Sequence, residues 1–159
     1  MQLRFLGTGA SGGTPGRGRS QRLESSLDVE AGVRLLIDVT RDFERQSRAR
    51  ECLDAVLLTH AHADACGGVG QLRRWLRSRG VERLPLYAGV ATIDALQKRF
   101  RRLDHCDFKP VRPGGRRQLG SARLFALEVP MRARSAFRPS PGASDRVDAC
   151  WSTPRTWPG

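Results

Sequence analysis

The chain has 159 residues, of which 39% are apolar, and it carries a formal net charge of +12. This length suits one domain with a buried core and is too short for two ordinary domains. No stretch approaches the roughly 20 apolar residues that a membrane-spanning helix requires, and the N-terminus lacks the pattern of a secretory leader. We therefore expect a cytoplasmic protein without a membrane partner.

The positive charge comes almost entirely from arginine. Two of the 28 basic residues are lysines, Lys98 and Lys109, and the rest are arginines. Because GC-rich coding produces such a bias, the charge alone does not indicate a polyanionic partner. Two arginine clusters are therefore open to two interpretations. They form either solvated helix faces or an electrostatic groove for a phosphodiester. They lie at positions 73, 74, 77 and 79, and at 99, 101 and 102.

The predicted elements alternate between strands and helices. A first strand at 2–6 leads into a glycine-rich loop at 7–18, and strands at 26–30 and 33–38 join through an Ala31-Gly32 hairpin turn. Later strands are predicted at 54–60, 84–87, 108–111 and 122–129, and helices at 40–48, 65–76 and 90–103. This order is typical of an α/β fold.

Residues 59–68 carry the side chains best suited to bind a metal. They read Thr-His-Ala-His-Ala-Asp-Ala-Cys-Gly-Gly and follow the apolar run 55–58. Residues two apart in extended chain point to one side, which places His60 and His62 together, with Asp64 two residues further on. Imidazoles bind divalent transition metals, and a nearby carboxylate can ligate the metal or deprotonate its water. A lone His-x-His pair is often a loop coincidence, but the added carboxylate, strand and glycine turn predict a metal site.

Together with the N-terminal segments, this motif resembles the metallo-β-lactamase-fold hydrolases, in particular their phosphodiesterase and tRNA 3′-processing branches. The matching features are Leu6-Gly7-Thr8-Gly9, Gly12-Gly13-Thr14-Pro15, Ser25-Ser26, Leu35-Leu36-Ile37-Asp38 and Thr59-His60-x-His62-x-Asp64. The resemblance implies an α/β fold, the metallo-β-lactamase-like αββα sandwich, of which this chain holds mainly the N-terminal half. We expect an incomplete domain of this kind at 1–130 and an irregular or disordered tail at 131–159.

The resemblance also implies a site and a reaction. His60, His62 and Asp64 are the expected metal ligands, for one or two zinc or manganese ions, and Asp64 is the expected catalytic residue that orients or deprotonates water. Asp38 is expected to support the metal loop without ligating, or alternatively to cap the following helix. The expected activity is hydrolysis of a small-molecule or nucleic-acid phosphodiester through a metal-activated water.

The chain also departs from the family pattern. The family motif has a further histidine where this chain has Ala65, and a third histidine near the position of Met131. No histidine follows His105. The alternative expectation is a truncated half of the fold, inactive or dependent on a partner, whose unpaired sheet face favours a homodimer. Loss of pattern after Pro130 also fits an out-of-frame tail.

Two further residues of metal-binding type, Cys66 and His105, are expected to play no part in the site. Cys66 lies close enough in sequence to reach a metal, but a buried packing thiol is the preferred interpretation. His105, in Asp104-His105-Cys106-Asp107, is expected to be an exposed loop residue. The four cysteines contain no Cys-x-x-Cys pair, so neither a zinc knuckle nor a redox motif is predicted.

Overall fold

The computed structural model describes residues 1–13 and 21–129. The expectations for Met131 and for the tail at 131–159 fall outside this part of the chain. The strands are β1 (Gln2–Gly7), β2 (Ser26–Glu30), β3 (Arg34–Ile37), β4 (Ala55–Leu57), β5 (Leu84–Gly89), β6 (Cys106–Val111), β7 (Arg116–Leu119) and β8 (Ala122–Phe125). The helices are α1 (Phe43–Gln46), α2 (Ala63–Cys66), α3 (Val69–Arg77) and α4 (Val90–Arg99). In the described residues, no helix has both the length and the apolar character to cross a membrane.

Six strands form one mixed sheet in the order β1-β2-β3-β4-β5-β6, and β7 pairs with β8 in a separate hairpin. The first three strands pair antiparallel, and β3 to β6 run parallel. Parallel neighbours require crossover connections, which are right-handed and place their helices on one face of the sheet. The carboxyl ends of β3 and β4 therefore lie side by side at one edge, and Asp38 and the 59–64 motif follow these two ends.

The helices and the sheet face beneath them enclose the apolar core. Leu36, Val56 and Leu86 occupy matched positions on three neighbouring parallel strands and are at most 1% exposed. Leu72 and Leu76 of α3, four residues apart on one side of the helix, are equally buried. This packing holds β4 and α3 on either side of the loop that carries the two histidines.

The opposite face of the sheet is only partly covered by the described residues. Leu35, Leu57 and Leu124 line an open groove of about 660 Å³ between the sheet and the β7–β8 hairpin. On the edge strand β1, Leu3 and Phe5 are 52% and 71% exposed. Exposed apolar surface of this kind is what one half of a two-sheet sandwich leaves uncovered.

The predicted helix at 65–76 is wrong in its continuity, because the structure divides it into α2 and α3. The N–H of Gly68 donates to the carbonyl of Val39 at 2.9 Å, so it does not continue the helical ladder of α2. A β-carbon on Gly68 would overlap the Thr40 carbonyl and come within 2.8 Å of the Phe43 β-carbon. The glycine therefore permits close approach of the chain after β3, which a sequence pattern does not reveal.

Several other element boundaries also differ from prediction. The helices predicted at 40–48 and 90–103 and the strands predicted at 54–60 and 122–129 are all shorter in the structure. Strand β7 was not predicted, because its sequence Arg-Arg-Gln-Leu lacks the alternation of apolar and polar residues by which strands are found. It pairs with β8 through backbone hydrogen bonds, which do not depend on that alternation.

The expectation that His105 is exposed is wrong, because its side chain is only 2% exposed. Its Nε2 lies 3.1 Å from the carbonyl oxygen of Val69 in α3. The next residue, Cys106, begins β6 and belongs to the apolar core, so the chain enters the core at this point. Burial lowers the pKa of His105 below its ordinary value of 6.5, and the positive charges of Arg73 and Arg77 act in the same direction.

We expect the stability of the protein to fall as the pH drops below about 6.5, the ordinary histidine value. Since the folded chain binds this proton less readily than the unfolded chain, stability is complete above that pH and declines toward the lower folded pKa. Thermal melting between pH 5 and 8, followed by circular dichroism, measures the decline. His105→Gln keeps a hydrogen-bond donor but does not titrate, so its melting curve should lose part of this dependence. An unchanged dependence would assign it to other groups.

Candidate metal centre

Three side chains with metal-binding atoms converge just after β4. His60, His62 and Asp64 each offer a ligand atom, and these atoms lie within 4.8 Å of one another. The two imidazole rings are perpendicular with centroids 4.9 Å apart, and His60 Nε2 lies 3.5 Å from Asp64 Oδ1. Among residues 1–13 and 21–129 this is the one group of three or more such residues. Two imidazoles and a carboxylate fit the donor set of a catalytic zinc site with an open position.

The local fold explains why these residues meet. Leu58, 5% exposed, anchors the end of β4 in the core and sends the following residues out to the edge of the sheet. His62 is extended and directly precedes α2, and Asp64 lies in the first turn of that helix. Cys66 is fully buried at the end of α2 and donates its thiol to the Ala61 carbonyl at 3.2 Å. The packing interpretation of Cys66 therefore agrees with the structure.

A chain of hydrogen bonds connects Asp38 to the ring of His60 through Thr59. Asp38 Oδ1 accepts from the Thr59 N–H at 2.8 Å, and Asp38 Oδ2 lies 2.8 Å from Thr59 Oγ1. The same hydroxyl lies 2.8 Å from His60 Nδ1. Because the hydroxyl has one proton and gives it to the carboxylate, it accepts from Nδ1–H. This leaves the lone pair of His60 on Nε2, the nitrogen that faces Asp64.

Asp38 does not cap the helix that follows it, so that alternative was wrong. The residue before α1 is Asp42, and α1 itself begins only at Phe43. Asp38 has a φ of 65°, in the left-handed region that aspartate adopts more readily than most residues. Burial raises the pKa of Asp38, and the hydrogen bonds from Thr59 oppose that shift. The left-handed backbone conformation and the half-buried carboxylate thus occur at the residue that hydrogen-bonds to the loop.

Removing the Thr59 hydroxyl should weaken metal binding without removing a ligand. We expect Thr59→Val to raise the dissociation constant for zinc about 10–100-fold, the usual effect of losing a partner that orients a ligating histidine. Thr59→Ser, which retains the hydroxyl, should bind nearly as tightly as the wild type. Competition with a chromogenic chelator measures both constants. Equal affinity in the valine variant would mean that the hydroxyl does not orient His60.

The arginine clusters are partly engaged in structural contacts. Arg73 donates to both carboxylate oxygens of Asp104, at 3.1 and 2.9 Å. The Arg79 guanidinium lies 4.0 Å from the ring centroid of Trp75 and donates to the backbone carbonyl of Arg50. These contacts favour a structural role for the two arginines over a substrate groove.

Three polar residues in or near the motif were not predicted to support the site. Thr59 immediately precedes His60, and this adjacency was the signal that could have identified it. Glu24 and Arg41 are 17 residues apart and form an ion pair. The signal for Glu24 was an acidic residue two positions before the predicted strand at 26–30, whereas nothing in the sequence pattern singled out Arg41.

The sequence profile of the beta-lactamase superfamily domain matches residues 33–148. This range is well over half of the chain, so the protein belongs to the beta-lactamase superfamily. Its α/β fold, with a central mixed sheet, matches solved metallo-β-lactamase-fold proteins. This match confirms the predicted family and fold class. The fold implies use of a divalent metal, and the group formed by His60, His62 and Asp64 has the corresponding chemistry.

Two curated relatives are identical to the chain at about a third of the aligned positions. A ribonuclease Z from Methanopyrus kandleri is 31% identical over 133 residues, covering 80% of this chain and 46% of that protein. An octanoyltransferase from Porphyromonas gingivalis is 34% identical over 142 residues, covering 71% of this chain and 28% of that protein. The chain thus spans less than half the length of either relative.

Solved structures give a similar result. A diphosphatase from the PhnP family superposes with a TM-score of 0.66 at 31% identity, covering 76% of this chain and 54% of that one. The metallo-β-lactamase-fold protein YhfI from Bacillus subtilis superposes with a TM-score of 0.61 at 22% identity, covering 74% and 48%. The second match supports the fold alone. In both, the chain corresponds to about half of the solved protein.

Proposed function

We propose that this chain carries the metal-binding part of a metal-dependent hydrolase that acts on a phosphodiester. The observation that carries the proposal is the convergence of His60, His62 and Asp64, whose ligand atoms lie within 4.8 Å of one another. Similarity to a ribonuclease Z and to a diphosphatase, each at 31% identity, favours a phosphorus–oxygen bond as the target. The octanoyltransferase match covers 28% of that protein and carries no argument for acyl transfer.

The proposed roles follow from the geometry of the site. His60 binds the metal through Nε2, because its Nδ1 is occupied by the Thr59 hydroxyl. His62 supplies the second imidazole. A divalent zinc or manganese ion held there supplies Lewis acidity, which lowers the pKa of water from about 15.7 toward roughly 7. Asp64 lies 3.5 Å from His60 and is 29% exposed, so its carboxylate is placed to orient the attacking water and accept its proton.

A second candidate function is supported by the open sheet face. Leu3 and Phe5 are exposed on β1, and Leu35 lines the groove on the same face. In this alternative, the chain is a catalytically inactive or partner-dependent half of the fold, and hydrolysis requires another half to cover that face. Sedimentation as a dimer would favour this candidate, whereas a stable, compact monomer with activity would contradict it.

The proposed function is tested by hydrolysis of bis(p-nitrophenyl) phosphate, a generic phosphodiester. We expect release of p-nitrophenol by the zinc- or manganese-loaded protein, loss of activity after dialysis against a chelator, and recovery when the ion is returned. Asp64→Asn serves as the matched variant, since it keeps the size of the side chain but not its basicity. Activity that survives both chelation and this substitution would contradict the proposal.

A further inference from the structure

Glu24 is a buried carboxylate that lies outside the group of proposed metal ligands. It is 1% exposed, although its side chain would ordinarily be solvated. Its Oε1 accepts from the Gly12 N–H at 2.8 Å and from Arg41 Nε at 2.9 Å, and its Oε2 accepts from the Arg41 N–H at 2.9 Å. Arg41 Nη2 also contacts Oε1. A carboxylate with so many donors connects the glycine-rich loop to the chain that follows β3.

These donors keep Glu24 ionised inside the protein. Burial alone raises the pKa of its carboxyl group, but the Arg41 side chain and the backbone N–H groups of Gly12 and Arg41 outweigh that effect and lower it. The ion pair therefore fixes the Arg41 guanidinium in one orientation. A guanidinium held in this way loses little conformational freedom when it binds another group.

The Arg41 side chain lies against the helix that carries Asp64. A β-carbon on Gly67 would come within 2.5 Å of Arg41 Cγ, so the arginine stem crosses α2 at its C-terminal end. Asp64 and Gly67 are three residues apart, and residues at this spacing share one face of a helix. The arginine is therefore a neighbour of a proposed metal ligand along that face.

Arg41 also retains capacity for a further ligand. Its side chain is 49% exposed, in contrast to the buried carboxylate that holds it. Nε and Nη2 point to Glu24, and no partner of Nη1 is found within residues 1–13 and 21–129. A planar guanidinium has two pairs of parallel N–H groups, and the outer pair suits two oxygens of a phosphate.

We propose that Arg41 binds a nonbridging oxygen of the substrate phosphate beside the His60, His62 and Asp64 site, and that Glu24 is the residue that positions it. This inference rests on the proposed function and names a residue that selects its substrate class. Asp38 and Asp64 are both carboxylates at this site, so a phosphodiester needs compensating positive charge to enter it. Arg41 supplies a fixed charge of that sign, independent of the metal.

The test measures binding of inorganic phosphate to the zinc-loaded protein by isothermal titration calorimetry. We expect Arg41→Gln to weaken phosphate binding by about tenfold or more, as for loss of a charge-assisted hydrogen bond. Arg41→Lys should recover part of the affinity, because it restores the charge but not the fork. Arg102→Gln is the matched control, since this exposed arginine lies before β6 at the other end of the parallel strands. Equal affinity in Arg41→Gln and Arg102→Gln would overturn the proposal.

Glu24→Gln tests the positioning role with a readout that mere destabilisation would not give. With bis(p-nitrophenyl) phosphate, we expect Arg41→Gln and Glu24→Gln to raise KM while kcat stays within about twofold, because the lost interaction is a binding contact. Circular dichroism confirms folding of each variant. A loss of kcat without a change in KM would overturn the assignment of Glu24.

Zinc content, measured by elemental mass spectrometry, distinguishes failure of the proposed function from failure of the proposed anion site at Arg41. Wild-type protein without bound metal would contradict the proposed function. The phosphate titrations are then made on the metal-free chain, where weaker binding by Arg41→Gln still supports the anion site. Phosphate binding that is absent from the metal-free wild type, or unchanged by the substitution, would overturn the anion site.

Discussion

Replacing His60 and His62 together with alanine should remove bound metal from the protein almost completely. Two of the three convergent donor atoms are lost, and Asp64 alone does not form a transition-metal site. We expect the metal content to fall from about one ion per chain or more to near zero, measured by elemental mass spectrometry after identical purification. Hydrolysis of bis(p-nitrophenyl) phosphate should fall with it.

The matched control for that experiment is His105→Gln. His105 is buried against α3, on the core side of the molecule, and makes its contact with a backbone carbonyl. At a pH above 7 this variant should keep both its fold and its metal. The comparison therefore distinguishes the loss of the two proposed metal ligands from the loss of a histidine outside the site. Equal metal content in the double alanine variant and the control would show that zinc binds elsewhere, and the proposed site would fail.

Gly68→Ala should destabilise the fold strongly for so small a substitution. The added β-carbon would overlap the Thr40 carbonyl and approach the Phe43 β-carbon, and neither is the flexible end of a side chain. Overpacking of this kind costs about 1–3 kcal/mol, and contacts with backbone place the expected loss of unfolding free energy toward the upper end. Urea unfolding followed by circular dichroism measures the change.

Gly70→Ala provides the opposite expectation two residues away. No atom lies within 4 Å of a β-carbon at this position, and Gly70 is inside α3. Alanine should therefore stabilise the helix by roughly 0.5–1 kcal/mol, through lower backbone entropy in the unfolded chain. A similar effect of both substitutions would mean that the close approach of α3 to the chain after β3 does not constrain Gly68.

Much of the sheet could be predicted because its signals are local. The alternation of residues around the Ala31-Gly32 turn placed β2 and β3 within one residue of their observed bounds. The His60, His62 and Asp64 group could be predicted for the same reason, since all three residues lie within five consecutive positions of the chain. Their roles as ligands remain a prediction, for which the metal measurement is the test.

Other features depended on contacts that are distant in sequence. His105 has the neighbours of an exposed loop, and only the packing of α3 against the start of β6 buries it. The division of the 65–76 segment follows from a hydrogen bond between Gly68 and Val39, 29 positions apart and therefore not visible in helical periodicity.

By itself, the sequence determined the class of fold, the strand that ends at the metal motif and the three side chains proposed to bind the ion. These depend on periodicity and on the spacing of residues a few positions apart, which the covalent chain enforces. The tertiary structure alone decided which groups surround that motif. Asp38, after β3, hydrogen-bonds to Thr59, after the neighbouring parallel strand β4, and Arg41 contacts both Glu24 and the C-terminal end of α2. Such pairs depend on the register of the sheet and the packing of its loops, so they appear only once the chain has folded.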